Sequence, residues 1–377
     1  MPTLELEIDR ATFLATLYKA QGVVDKKSTA NVLSQILFEP TGDGQLRVTG
    51  TDYDVVLQSV VAAEVIQSGL ACINGKSLFD VVKSLDAPRV HLRTLDNHWV
   101  ELTAGRSRFK LAGINPDDFP DITTPDDVQW MGIPRGTFKD LIEKTAFSVS
   151  DDETRMNLNG VFFKTAPGSG DLTRLVMVST DGHRLSKVDT EVEVRATGDR
   201  QNQAIVHKKG VQEVRRLLED QGEVIEVGFA PGFVLFRSEG TTFTVRQIED
   251  TYPDYERVIP PSSPVRVEVV RQRLIQAIRR IATLISSKTY VVKMELSPGR
   301  IAFTTSNPDY GEGRDEVDVE YEGEGLVIGY NYVYLLDVLN VLKGETVVLE
   351  CSDAFSPTIV TSPEEAGALF VVMPMRI

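Results

Sequence analysis

The chain has 377 residues, which at roughly 100 to 200 residues per domain predicts two to four domains, each long enough to bury its own core. Forty Lys and Arg against 55 Asp and Glu give a net charge of −15, which excludes a nucleic-acid binder with a uniformly basic surface but not one with a locally basic face. No apolar run approaches the ~20 residues that cross a bilayer, and the opening MPTLELEIDR lacks a basic head followed by an apolar stretch, so a cytoplasmic protein with no membrane partner is expected.

Taken in chain order, the hydrophobic pattern repeats three times. The first unit opens with a helix over 11–22 (Phe13, Leu14, Leu17), continues through the strand LRVTGTD ending at Asp52 and a helix over 76–85 (Leu78, Val81, Val82, Leu85), and closes on the hairpin VHLRTLDNHWVEL. The second unit has a helix over 137–147 (Phe138, Leu141, Ile142, Ala146) and the strand LVMVSTD ending at Asp181. A helix over 208–218 (Val211, Val214, Leu218) and the meander EVIEVGFAPGFVLFRSEGTTFTV follow. The third unit, the most drifted, has a helix over 269–282 (Leu274, Ile278, Ile281) and the strand IAFTTSN ending at Asn307. It ends with a helix over 331–343 (Leu335, Val338, Leu339, Leu342) and the hairpin VVLECSDAFSPTIV. Spacings of three and four predict helices with one apolar face, and alternation predicts antiparallel strands. The fold class is therefore α+β, with two helices on antiparallel sheets in each unit. Proline-containing joins at FPDITTPDD and YPDYERVIPPSSP predict domains at 1–125, 126–254 and 255–377. Cys72 and Cys351 each lie in an apolar strand and read as buried reduced thiols.

Charge is sorted by element. The six helix windows hold 14 Lys and Arg against 5 Asp and Glu, a balance of +9, while the remainder of the chain carries −24. Helix propensity alone would favour Glu as much as Lys, and Glu is scarce in these windows. If the helices share one side, that side attracts phosphate while the rest repels it. The sequence carries no zinc spacing, RNA-recognition signature or helix-turn-helix, so a sequence-indifferent duplex binder is expected.

Several features resemble chemical sites without their context. Gly75, Lys76 and Ser77 read as the end of a phosphate loop, but the preceding Gly69 lies six positions before Gly75 where the motif requires five. His183 stands near Asp181, yet His91, His98 and His207 are scattered and no carboxylate or thiol cluster has ligand spacing. A structural or peptide-contacting role is expected of it, with hydrolysis as a remote alternative. Glu249, Asp250 and Asp254 read as a solvated acidic face. No catalytic residues, metal or cofactor are expected. The terminal LFVVMPMRI is apolar at seven of nine positions. A core strand accounts for Phe370 and Val372, whereas Met373, Pro374 and Met375 run beyond it and suit adaptable peptide recognition.

The segments STDGHRLS, YPDYERVIP, GYNYVYLLDVLNVL and VVMPMRI, within a threefold repeat that covers essentially the whole chain, resemble the bacterial DNA polymerase III beta subunit, the sliding-clamp family. The resemblance implies three clamp domains per subunit and a head-to-tail homodimeric ring, with helices facing duplex DNA and sheets outside. The implied partners are DNA bound without sequence specificity, the replicative polymerase alpha subunit, the clamp loader, and repair polymerases, mismatch-repair proteins and ligase. By position, a peptide pocket would use Arg155, Leu158, Thr180, Gly182, His183, Arg184, Leu185, Pro253, Arg257, Val258, Val371, Met373, Pro374, Met375 and Arg376. DNA would be faced by Lys26, Lys27, Lys83, Lys208, Lys209, Arg215, Arg279 and Arg280, the first pair departing from an Arg-containing loop common in the family. The subunit interface would set Arg106, Arg108, Phe109 and Leu111 against Leu284, Glu312, Asp315 and Glu316. A diverged paralogue acting as scaffold or resistance variant is the alternative function.

Overall fold

The computed structural model describes residues 3–24, 31–42, 44–196, 202–219, 221–261, 263–285 and 290–377. Six α-helices stand where the periodicity places them: α1 Arg10–Val23, α2 Gly75–Ser84, α3 Arg135–Thr145, α4 Lys208–Leu217, α5 Arg271–Ala282 and α6 Tyr332–Val341. Side-chain caps start three of them. Asp9 accepts from the Thr12 N–H, Asn74 from Ser77 and Asn331 from Val333, filling donors that the first turn leaves unpaired. The Gly75-Lys76-Ser77 triplet is therefore the capped start of α2. A Cβ on Gly75 would come 2.7 Å from Ile36 Cδ1, so the glycine serves packing, and Lys76 is paired at 2.5 Å with Asp80 one turn on. Cys72 and Cys351 are buried and free, and burial pushes the Cys72 thiol up to about 12.

All strand pairs among the described residues are antiparallel, in sheets of five, ten, eight and four strands. The compact units follow these sheets and not the sequence repeat: one comprises Met1–Phe138, Val194–Asp199 and Lys209–Gln247, the other Lys139–Glu193, Arg200–Lys208 and Ile248–Ile377. The physical reason is that backbone pairing runs across the repeat boundaries. In the first unit Val55–Ala62 of the first repeat pairs with Thr241–Arg246 of the second. In the second unit Arg184–Val192 of the second repeat pairs with Ala368–Val372 of the third.

The two pairings are built alike. Each uses a Phe-x-Val strand whose aromatic ring is buried, Phe243 facing Leu57 in one and Phe370 facing Ser186 in the other. The last strand is covered on both faces. Phe370 and Val372 join a core with Val360 and Leu339, while Val371 joins Val176, Leu185 and Tyr252. Val371 is thus as buried as its neighbours, which single-sided alternation does not predict. The first repeat ends in a similar strand, Ser107–Leu111, whose Phe109 faces Leu102 on one side while the other side is a sheet edge. Gly311–Asp318 of the third repeat is likewise an edge.

One arginine recurs at the first residue of the first helix in every repeat. Arg10 donates to the carbonyls of Val82 and Lys83 at 3.1 and 2.9 Å, Arg135 to Gly222 and Leu217 at 2.8 Å each, and Arg271 to Gly344 and Leu339 at 2.7 and 2.9 Å. Each guanidinium closes the carboxyl end of the second helix of its own repeat, where carbonyls lack partners and the dipole favours a cation. Arg135 is buried and also holds Ser238 Oγ at 2.5 Å. Its replacement by Met would strand two buried acceptors, the Leu217 carbonyl and Ser238 Oγ, and chemical denaturation is expected to read a loss of about 2–4 kcal/mol. A change within about 0.5 kcal/mol, the usual surface range, would deny the latch its role.

Candidate functional site

The segment Thr180–Leu185 is shaped by its own side chains. Asp181 Oδ1 accepts from the backbone N–H groups of His183 and Arg184 at 2.8 and 3.0 Å, and Thr180 Oγ1 accepts from Gly182 at 3.1 Å. Gly182 sits at φ +89°, a region that penalises side chains. A Cβ there would also lie 2.8 Å from Arg155 Nη1, and Arg155 uses the space to donate to the Asp181 carbonyl at 3.1 Å. Arg184 is held from four directions: Asp181 at 3.0 Å, Asp337 at 2.5 Å, the Phe147 carbonyl at 2.6 Å, and the face of Tyr334 at 4.5 Å from the ring centroid. His183 stacks at 6.4 Å on the same Tyr334 ring.

The C-terminal strand runs beside this turn. Leu185 faces Val371 across the sheet, Met373 donates its N–H to the His183 carbonyl at 2.9 Å, and Met375 donates to Gly329 at 2.8 Å. Tyr252, which belongs to the cluster of Leu185 and Val371, and Tyr255 and Ile259, which pack against it, flank Pro253, Arg257 and Val258 in the chain. Leu158, Leu185 and Val371 are buried, and Thr180, Arg184, Met373, Pro374 and Met375 half-buried. Arg155, Gly182, His183, Pro253, Arg257, Val258 and Arg376 are exposed. An apolar floor with polar groups at its rim is what a short apolar peptide needs. The sequence reading missed Phe147, Asp181, Tyr334 and Asp337 as supports. Their signal was the Thr-Asp-Gly turn and the aromatic start of α6.

An ion network lies in the same compact unit. Lys144, only 6% exposed, bridges Asp140 at 2.5 Å and Glu365 at 2.6 Å, and Lys343 reaches Asp140 at 2.6 Å. Burial, which would raise the Asp140 carboxyl, is outweighed by hydrogen bonds from Lys144 and Lys343, so it titrates below its ordinary range. Glu365 is lowered in the same way, burial losing to Lys144 and to the Gly344 and Lys343 N–H groups. Lys144 and Arg271 therefore belong to the interior architecture, although the helix charge balance counted both.

The candidate phosphate-facing residues divide. Lys83, Arg215, Arg279 and Arg280 are exposed, while Lys208 and Lys209 are half-buried. Arg280 is engaged by Asp315, Lys209 by Asp52 and Lys208 by Asp151, which leaves less free charge than a residue count predicts. Arg279 reaches Asn340 at 3.3 Å, and Lys83 lies 5.8 Å from the Phe79 ring centroid. Lys26 and Lys27 lie outside the described residues. Of the candidate interface, Arg108, Phe109 and Leu111 occupy the edge strand Ser107–Leu111 and Arg106 the turn before it. Glu312, Asp315 and Glu316 occupy the edge strand Gly311–Asp318, and half-buried Leu284 lies under it, 2.9 Å from where a Gly313 Cβ would stand.

Consecutive stretches match the DNA polymerase III beta subunit family: its N-terminal domain at residues 4–123, central domain at 132–254 and C-terminal domain at 256–376. The chain belongs to this family. It is 34% identical over 376 residues to the beta sliding clamp of Caulobacter vibrioides, covering 99% of this chain and 100% of that one. It is 33% identical over 375 residues to the clamp of Pseudomonas aeruginosa, again covering 99% and 100%. Among solved structures, the Caulobacter crescentus beta sliding clamp matches with a TM-score of 0.93 at 33% identity, covering 100% of this chain and 99% of that one. A Bartonella birtlesii clamp bound to griselimycin matches at 0.92 and 28%, covering 99% and 100%. Members of the beta subunit family are non-catalytic processivity factors. The function of this chain is that of a DNA sliding clamp in replication, built from three clamp domains of helices on antiparallel sheets.

For this clamp subunit the ion network sets a pH dependence. A carboxylate with a lowered folded pKa contributes stability that is complete above its unfolded pKa, about 4, and is lost as pH falls through the folded value. The melting temperature is expected to drop between about pH 5 and about pH 3, and Glu365→Gln should flatten that slope. Parallel melting curves for the two proteins would separate the network from folding.

Proposed function

We propose that the chain closes a head-to-tail homodimeric ring around duplex DNA, in the cytoplasm at the replication fork, and performs no catalysis of its own. Its groove captures short Leu- or Phe-bearing segments of the replicative polymerase alpha subunit, the clamp loader and repair proteins, among them repair polymerases, mismatch-repair factors and ligase. The proposed domains are 1–125, 126–254 and 255–377.

The observation that carries the ring is the pair of unmatched strand edges. Ser107–Leu111 and its preceding turn carry Arg106, Arg108 and Lys110, a net positive edge, while Gly311–Asp318 carries Glu312, Asp315, Glu316 and Asp318 against the single Arg314, which is held by Glu295 and Glu316, a net negative edge. Opposite charges favour joining one edge to the other edge of a second copy, and like charges oppose joining either edge to itself. The internal repeat supplies a register. Leu57, which faces Phe243, lies opposite Gly50, and Ser186, which faces Phe370, lies opposite Ser179. The third-repeat residue opposite Thr305 is Gly313. Phe109 of one copy is then opposite Gly313 of the other, whose missing side chain leaves Leu284 open to the ring, and Lys110 is opposite Glu312.

Lys83, Arg215, Arg279 and the partly neutralised Arg280, Lys208 and Lys209 would meet phosphates weakly, as would Lys26 and Lys27. Contacts that carry no sequence information and release readily suit sliding.

Two experiments test the reading. Oxidation of a Lys110→Cys, Glu312→Cys protein should give covalent dimers while Lys110→Cys, Glu316→Cys remains monomeric on a denaturing gel. Equal cross-linking of both would refute the register. Met373→Ala with Met375→Ala should weaken a fluorescein-labelled Leu- and Phe-containing pentapeptide at least tenfold, about 1.4 kcal/mol, with an unchanged melting temperature. Unaltered anisotropy titrations would remove the groove assignment.

A further inference from the structure

The turn that shapes the groove is present a second time with the same backbone. In the first repeat Asp52 Oδ1 accepts from the N–H groups of Asp54 and Val55 at 3.1 and 2.7 Å, and Thr51 Oγ1 accepts from Tyr53 at 2.9 Å. Arg246 donates its N–H to the Asp54 carbonyl at 2.8 Å, as Met373 does to His183. The bend residue Tyr53 has φ +77°, close to the +89° of Gly182. Strand register continues the correspondence: Val56 faces Thr244 where Leu185 faces Val371.

Among the described residues of the two turns, the side chains differ. Tyr53 stands for Gly182, Asp54 for His183, Val55 for Arg184, Thr244 for Val371 and Arg246 for Met373. Each difference works against an apolar peptide. Tyr53 adds a ring, 57% exposed, in a conformation that disfavours any side chain. The hydroxyl of Thr244 replaces a methyl in the floor. The Arg246 guanidinium lies 5.4 Å from the Phe233 ring centroid and 3.9 Å from the Asp54 carboxylate, both charges largely exposed, and covering them with a leucine or phenylalanine would strip them of water. Where Tyr334 offers a ring to His183 and Arg184, α4 has Gly210, whose Cβ would come 2.5 Å from Val245 Cγ1.

We propose that the Thr51–Val55 turn is a closed copy of the peptide groove, and that Tyr53, Asp54, Thr244 and Arg246 restrict each subunit to one captured peptide. The proposal rests on the groove reading above and adds to it which residues set the stoichiometry.

The test is native mass spectrometry of the full-length protein titrated with the same labelled pentapeptide. Wild type is expected to bind one peptide per subunit, and the variant Tyr53→Gly, Asp54→His, Thr244→Val, Arg246→Met to bind a second, weaker one. Two peptides on wild type would overturn the proposal, as would a folded variant that stays at one. No peptide on wild type would instead sink the groove reading itself. The reverse transfer, His183→Asp with Met373→Arg, covers a variant that fails to fold: it should lower affinity at least tenfold, and full retention of binding would also overturn the proposal.

Discussion

An antiparallel strand edge carries a row of donors and acceptors that must find partners, and the whole chain is arranged around that requirement. Each repeat ends in a Phe-x-Val or Phe-x-Leu strand and contains, after its polar turn, a strand able to receive one. Two such meetings occur within the chain, Val55–Ala62 with Thr241–Arg246 and Arg184–Val192 with Ala368–Val372. Three repeats in a row leave one edge over at each end. Heterologous edges of this kind close into a ring only when the rotation suits, and otherwise grow into filaments. In the proposed ring the opposite net charge of the Ser107–Leu111 and Gly311–Asp318 edges favours joining one to the other over joining either to itself.

The same economy governs the cations. A chain of net charge −15 that must tolerate DNA needs its positive groups placed with care, and many of them are already committed. Arg10, Arg135 and Arg271 close helix ends, Lys144 is locked between two carboxylates, and Lys209 and Arg280 have partners of their own. Of these, an exposed pair such as Arg280 with Asp315 is worth little to stability, but it lowers the field that a phosphate backbone meets. A clamp that gripped phosphates strongly would stall, so a basic face diluted by internal carboxylates is compatible with movement along the duplex.

Much of the fold was legible in the sequence because helix and strand periodicities are local. The windows around Phe138 and Leu335 mark α3 and α6 within two residues, and the strands read as ending at Asp52 and Asp181 end one residue earlier, at Thr51 and Thr180. What escaped was non-local. That Val55–Ala62 pairs with a strand roughly 180 residues later leaves no trace in either segment, so the compact units cut through the middle repeat. The burial of Lys144 and Arg135 was invisible for the same reason, since a lone charged residue in a helix reads as solvated until its partners are known. The proposed groove was suggested by Met373 and His183, which look out of place locally. Its supports Tyr334 and Asp337 look like ordinary helix residues and were not.

Conservation of backbone with change of side chains is the consequence of building one unit three times. The turn geometry at Asp52 and Asp181 is nearly the same hydrogen bond for hydrogen bond, so the backbone alone cannot distinguish a binding groove from a structural joint. Discrimination rests on a few side chains that cost the fold little, because they project from a turn whose own hydrogen bonds are already satisfied. Gly182 is the clearest case. Its missing Cβ admits the Arg155 guanidinium to the Asp181 carbonyl, and a tyrosine at the corresponding place in the first repeat fills that position with its own ring. A strand pairing used twice within the chain thus becomes, in the proposed reading, a recognition site in one place, through substitutions that leave the pairing untouched.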